Sequence, residues 1–122
     1  LLARDLLPKL TGGTVVNLCD IGADRPLVGY TAYSVSKAGL VMLTRSMAVE
    51  LAPSVRTVGI APGQVAWPDD YPDAKRAALL RRIPMDRVGT PEDVGQLVVF
   101  LAGATYLNGV IVPVDGGLHA RY

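Results

Sequence analysis

Three short apolar runs, rich in β-branched residues, recur along the chain: TVVNLC at 14–19, VRTVGIA at 55–61 and GVIVPVDGG at 109–117. Stretches of helical periodicity separate them. That alternation constrains the fold more than any other feature, because strands joined through helices are connected by right-handed crossovers and form a parallel sheet. The first separator is the longest and reads as a helix over 31–51. Leu40, Leu43, Met47 and Leu51 make one apolar stripe on it, and Val35, Met42 and Val49 make a second on another face. A helix apolar on two faces is covered on both, one side by the sheet and the other by a second layer or a second subunit. Residues 73–83 predict a short helix. Thr90-Pro91-Glu92-Asp93 is a helix start, with a capping hydroxyl, proline at the first turn and acids at the positive end of the dipole. Residues 1–10 read as the end of an amphipathic helix, stopped by Thr11-Gly12-Gly13. Residues 20–30 read as a loop. Pro113 cannot donate to a ladder, which predicts an edge position for the last strand.

TVVNLC is apolar enough to be buried on both faces in the middle of a sheet, yet no earlier strand is at hand to flank it. The expected architecture is therefore α/β: the C-terminal half of a doubly wound parallel-sheet, Rossmann-like domain whose N-terminal half is missing. Residues 1–122 would be part of one domain. The composition agrees, with 50% hydrophobic and 19% charged residues, that of a packed globular chain. A net charge of +1 and scattered basic residues give no nucleic-acid stripe. No apolar run approaches the length of a membrane span. The single cysteine, Cys19, excludes an internal disulfide framework and fits the cytoplasm. No residues have metal-ligand spacing.

Chemistry concentrates in CDIGADRPLVGYTAYSVSK, residues 19–37. Ligands of parallel sheets bind outside the carboxyl ends of the strands, and Asp20, Pro62-Gly63 and Asp115-Gly116-Gly117 all lie at such ends. Tyr33 and Lys37, four apart, share a helix face. If that helix packs back along the sheet, its first turns bring both near Asp20. A phenol is a natural proton donor for carbonyl or imine reduction, but its free pKa is about 10; a nearby ammonium group is expected to lower it. Asp20, an acceptor-only group, suits a nitrogen heterocycle with N–H edges better than a plain ketone. Each residue also has a plainer reading. Asp20 can cap a loop or helix, and Tyr33 and Lys37 can be a surface pair. Trp67 and Tyr71 can be core packing or a substrate lid. His119 reads as a surface or interface residue, and Cys19 as inert core.

The ordered set Asn17-Leu18-Cys19-Asp20, Tyr33-Ser34-Val35-Ser36-Lys37, Pro62-Gly63 and Val114-Asp115-Gly116-Gly117 resembles the C-terminal half of a short-chain dehydrogenase/reductase. Most members carry serine where this chain has Asp20. With the aspartate there, ADRPLVGYTAYSVSKAGL after it and an Asp-Gly-Gly-x-His ending, the chain is similar to the pteridine reductase branch, which includes dihydromonapterin reductases. That resemblance implies a cytoplasmic NADPH-dependent reductase of dihydropteridine- or dihydrofolate-like rings. Tyr33 with Asp20 would supply the proton, and Lys37 would hold the nicotinamide ribose and tune Tyr33. Pro62, Gly63 and Val65 would line the nicotinamide pocket, and the protein would assemble as a homotetramer. It also implies that the glycine-rich phosphate loop lies before Leu1, so that the fragment alone would be inactive. Val58, where many members have asparagine, and Val65, where some pteridine reductases have a small polar residue, depart from the pattern. Two other readings stand beside this one: a short-chain reductase of another carbonyl compound, and a non-catalytic or oligomerisation piece.

Overall fold

The computed structural model describes Lys9 and residues 11–25 and 27–121. Its elements follow in the order β1 (Thr14–Leu18), α1 (Thr31–Glu50), β2 (Arg56–Pro62), α2 (Asp73–Leu80), α3 (Pro91–Gly103) and β3 (Ile111–Val114). The helix expected over residues 1–10 lies outside the described residues, apart from Lys9. The three strands form one parallel sheet in the order β1-β2-β3, with Val16 opposite Val58 and Ile60 opposite Val112. Pro113 sits in β3, whose one partner among the described residues is β2, as its missing N–H predicts.

The core lies on the two faces of β2. Successive side chains of a strand point to opposite faces. Val58 and Ile60, fully buried, pack with Leu101 of α3 on one side. Ala61 joins Cys19 and Val41 of α1 on the other. Gly59 leaves room where β2 is most crowded: a Cβ there would stand 2.5 Å from Ile111 Cδ1 and 3.1 Å from Cys19 Sγ. Burial of the central strand corrects one expectation. It is β2, not β1, that is enclosed on both faces; β1 is half-buried, with Leu18 exposed, because β2 is its single neighbour among the described residues.

α1 seats on the sheet through Val41, Thr44 and Ala48. Thr44 donates to the Leu40 carbonyl (2.8 Å) and accepts from the Asn17 amide of β1 (2.9 Å), which pins the helix to the strand. Of the predicted sheet-side stripe, Leu40, Met47 and Leu51 are half-buried but Leu43 is exposed. The second stripe is uncovered in this chain: Val35, Met42 and Val49 are 67%, 59% and 80% exposed.

α3 begins as its sequence predicts. Thr90 Oγ1 accepts from the Asp93 N–H, and Asp93 Oδ2 accepts from the Thr90 N–H at 2.8 Å. At its other end Arg56 of β2 reaches across. Its guanidinium donates to the carbonyls of Leu101, Ala102, Ala104 and Leu107 and to Thr14 Oγ1. One cation thus satisfies several terminal carbonyls of a helix, at the negative end of its dipole. Elsewhere one helix is shorter than expected. α2 ends at Leu80 rather than 83, before the buried Ile83 and the exposed Pro84. The last strand, Ile111–Val114, gives way to the turn expected within 109–117.

Candidate active site

The carboxyl ends of all three strands carry the residues that the sequence marks. β1 delivers Asp20, whose side chain does two things at once. Oδ1 accepts from the Gly22 N–H at 2.6 Å, starting a 3-10 turn over Ile21–Asp24, and Oδ2 accepts from the Tyr33 hydroxyl at 2.6 Å. The capping reading of Asp20 is therefore realised, and the same side chain meets Tyr33. The stretch read as a loop holds that turn because the carboxylate substitutes for a backbone acceptor.

Tyr33 stands in the first turns of α1 and is 41% exposed. Lys37, one turn on, donates to the Leu18 carbonyl at 3.1 Å, and its Nζ lies 5.8 Å from the centre of the Tyr33 ring. An ammonium group has three donors, so this bond leaves two. The expected lowering of the phenol pKa is not found. Tyr33 is pushed up to about 12, first by its hydrogen bond to Asp20, then by burial and by the carboxylate's charge. The phenol touches an anion directly, whereas the ammonium group is tied to a backbone carbonyl.

β2 ends in Pro62-Gly63, which with Gln64 forms one wall of a cleft of about 580 Å3, a volume in the range of small-molecule sites. Asp20 and Gly22 line the same cleft. The phenol, bonded to Asp20, is thus one hydrogen bond from the cleft wall. Gly63 is held by its N–H to the Val114 carbonyl (3.0 Å), and a Cβ on it would come within 2.6 Å of Asp115 Cβ. Val65 is turned toward Gly89, with Cγ1 3.1 Å from where a Cβ on that glycine would stand.

β3 ends in the Asp-Gly-Gly turn. Asp115 Oδ1 accepts from the Gly117 N–H (2.9 Å), and Oδ2 accepts from the His119 N–H (2.6 Å) and meets His119 Nδ1 at 2.8 Å. Burial raises the Asp115 pKa, but these bonds outweigh it and hold the group below its ordinary value. Gly116 and Gly117 have φ of 63° and 86°, which is why the motif needs glycine twice. His119 is an exposed residue bonded to this turn. Trp67 and Tyr71 stack on each other at 5.1 Å, with Arg76 over the Trp67 ring; neither lines the cleft. Burial pushes the Cys19 thiol up.

The sequence reading missed the far wall. Arg25, Leu79, Arg82 and Leu118 also line the cleft. Leu79 and Arg82 are three apart and share a face of α2 and its extension, a spacing that could have drawn attention to them. Among the described residues there is no group of three or more His, Cys, Asp or Glu able to hold a metal ion, and no helix long and apolar enough to cross a membrane.

A family model described as enoyl-(acyl carrier protein) reductase matches residues 1–119. The chain is 40% identical to Protein FixR of Bradyrhizobium diazoefficiens, over 98% of this chain and 45% of that protein. It is 39% identical to pteridine reductase 1 of Leishmania tarentolae, over 88% of this chain and 38% of that protein. With the 3-oxoacyl-[acyl-carrier-protein] reductase FabG of Thermotoga maritima it shares 36% identity, over 90% and 47%. The solved apo SCOR enzyme of Clostridium thermocellum superposes with a TM-score of 0.81 at 31% identity, over 99% of this chain and 47% of that one. The chain spans about half the length of the curated relatives it matches. These similarities single out no one branch: the pteridine reductase stands among FabG and other reductases.

Proposed function

The chain belongs to the short-chain dehydrogenase/reductase family, and from that premise we propose that the protein carrying it is an NADPH-dependent reductase of pterin-type substrates. The observation that carries the reading is the 2.6 Å hydrogen bond from Tyr33 to Asp20 on the wall of a substrate-sized cleft. A nicotinamide dinucleotide, when bound, supplies the hydride. The residues present fit such a group: Lys37 keeps two donors for a ribose diol, Tyr33 is partly exposed beside it, and Pro62 and Gly63 offer a wall without bulky side chains.

Proton delivery follows from electrostatics. If the phenol gave up its proton beside an ionised Asp20, two anions would stand at hydrogen-bond distance, a costly arrangement. Asp20 must therefore hold a proton when Tyr33 gives its own away. The pair acts as a relay from Asp20 to Tyr33 to the substrate, and Lys37 stabilises the negative charge that the phenol transiently carries. A carboxyl at residue 20 also accepts from a ring N–H, which a serine does less well.

Two outcomes test this. In a substrate panel, dihydropterins should be reduced with a kcat/KM about 10-fold or more above that of simple ketones, a discrimination within reach of one buried polar contact. Reduction of ketones with dihydropterins untouched would end the pterin reading. Asp20→Ser should lower pterin turnover about 100-fold, the scale of general acid–base catalysis, with NADPH affinity kept.

A reductase of another carbonyl compound is the second reading, favoured by the relatives named as 3-oxoacyl-[acyl-carrier-protein] reductase and carbonyl reductase. Under either, the exposed Val35, Met42 and Val49 of α1 support self-association, proposed here as a homotetramer.

A further inference from the structure

We propose that the cleft beside Asp20 and Tyr33 selects substrates bearing an anionic group, a carboxylate or a phosphate, held by Arg25 and Arg82. The inference rests on reading that cleft as the substrate site. Among the described residues Asp20 is the only acidic one lining it, and both its oxygens are engaged, one by the Gly22 N–H and one by the Tyr33 hydroxyl. Gln64, a neutral polar side chain of the lining, donates its amide to the Ala66 carbonyl. Against this stand two guanidinium groups brought in from separate elements: Arg25 from the turn after β1, and Arg82 from just beyond α2. Each engages a further group of the chain. A guanidinium has five donors in a planar fork, and that fork matches carboxylate and phosphate geometry. Leu27, Leu79 and Leu118 supply apolar surface in the same cleft. The lining thus suits a flat, largely apolar body whose reacting end meets the Tyr33–Asp20 side and whose other end carries negative charge.

Equilibrium binding to the whole protein tests this with naphthoate, its uncharged methyl ester and naphthyl phosphate. Naphthoate should bind about 10-fold tighter than the ester, the scale of one charge-assisted contact. In the R25Q/R82Q double variant the preference should fall to within about 2-fold, with NADPH affinity and the melting curve unchanged. Should the double variant fail to fold, R25Q and R82Q singly should each lose part of the preference. A tighter fit of naphthyl phosphate than of naphthoate supports the proposal and names phosphate as the group. Equal binding of acid and ester by the wild type overturns it, as does a preference that survives both substitutions. A parallel loss of NADPH affinity also overturns it, since the cations would then serve the cofactor. The readout is binding, so a protein that reduces no pterin can still show the preference, and one that reduces pterins can lack it.

Discussion

Replacing Tyr33 by phenylalanine is expected to lower kcat about 1,000-fold, a barrier increase of about 4 kcal/mol, while leaving the fold and NADPH affinity close to wild type. The phenol lies in the first turns of α1 and is 41% exposed, so its ring can stay while its oxygen goes. What disappears is the one hydroxyl that bonds Asp20 Oδ2. The carboxyl of Asp20 still lines the cleft, so a residual rate is expected. A second readout is spectroscopic. With its pKa pushed up to about 12, Tyr33 should ionise last among ordinary tyrosines in an alkaline titration followed by phenolate absorbance. The difference between wild type and Tyr33→Phe isolates its transition. Asp20→Asn, which removes the charge, should bring that transition down toward about 10. If Tyr33→Phe turned over at the wild-type rate, the proton relay would be wrong.

The second large effect concerns stability. Arg56→Met should cost about 3 kcal/mol, read as a lowered midpoint of urea unfolding at an unchanged slope. Methionine keeps the volume of the stem but loses every donor. The carbonyls of Leu101, Ala102, Ala104 and Leu107 would be left at the end of α3 without their common partner, and Thr14 would lose its link from β1 to β2. Such groups are expensive to strand when part-buried. Arg56→Lys should recover only a fraction, since a point ammonium cannot serve that fan of acceptors. A cost below about 1 kcal/mol for Arg56→Met would show that water replaces the guanidinium without penalty.

Much of this architecture could be read from residues alone, for identifiable reasons. The β2 run is apolar because both its faces are buried, and periodicity reports burial. The Thr90 box was legible because capping is a local bargain between residues three apart. Tyr33 and Lys37 were readable as a same-face pair, and their nearness to Asp20 followed from one assumption, that α1 folds back on the sheet. What resisted reading was what depends on distant partners. Arg56 gives no hint in sequence that its guanidinium ends on four carbonyls of a later segment. The direction of the Tyr33 shift turned on which of two nearby charges touches the phenol, a matter of one hydrogen bond. Arg25 and Arg82 line one cleft although they come from segments far apart in the chain. Val16 and Val58 pair in a register that apolar runs of similar composition do not specify.

The near-contact between Gly63 and Asp115 carries a consequence for anyone recombining this chain with a homologue. A Cβ on Gly63 would press against Asp115 Cβ at 2.6 Å, and one on Gly116 against Ile83 Cγ2 at 2.8 Å. The proline-glycine bend and the aspartate-glycine-glycine turn are thus cut to each other's shape, and changes in either are epistatic with the other. A chimera that imports residues 62–65 without 113–119 will inherit a steric quarrel; the two segments travel as a single cassette or not at all.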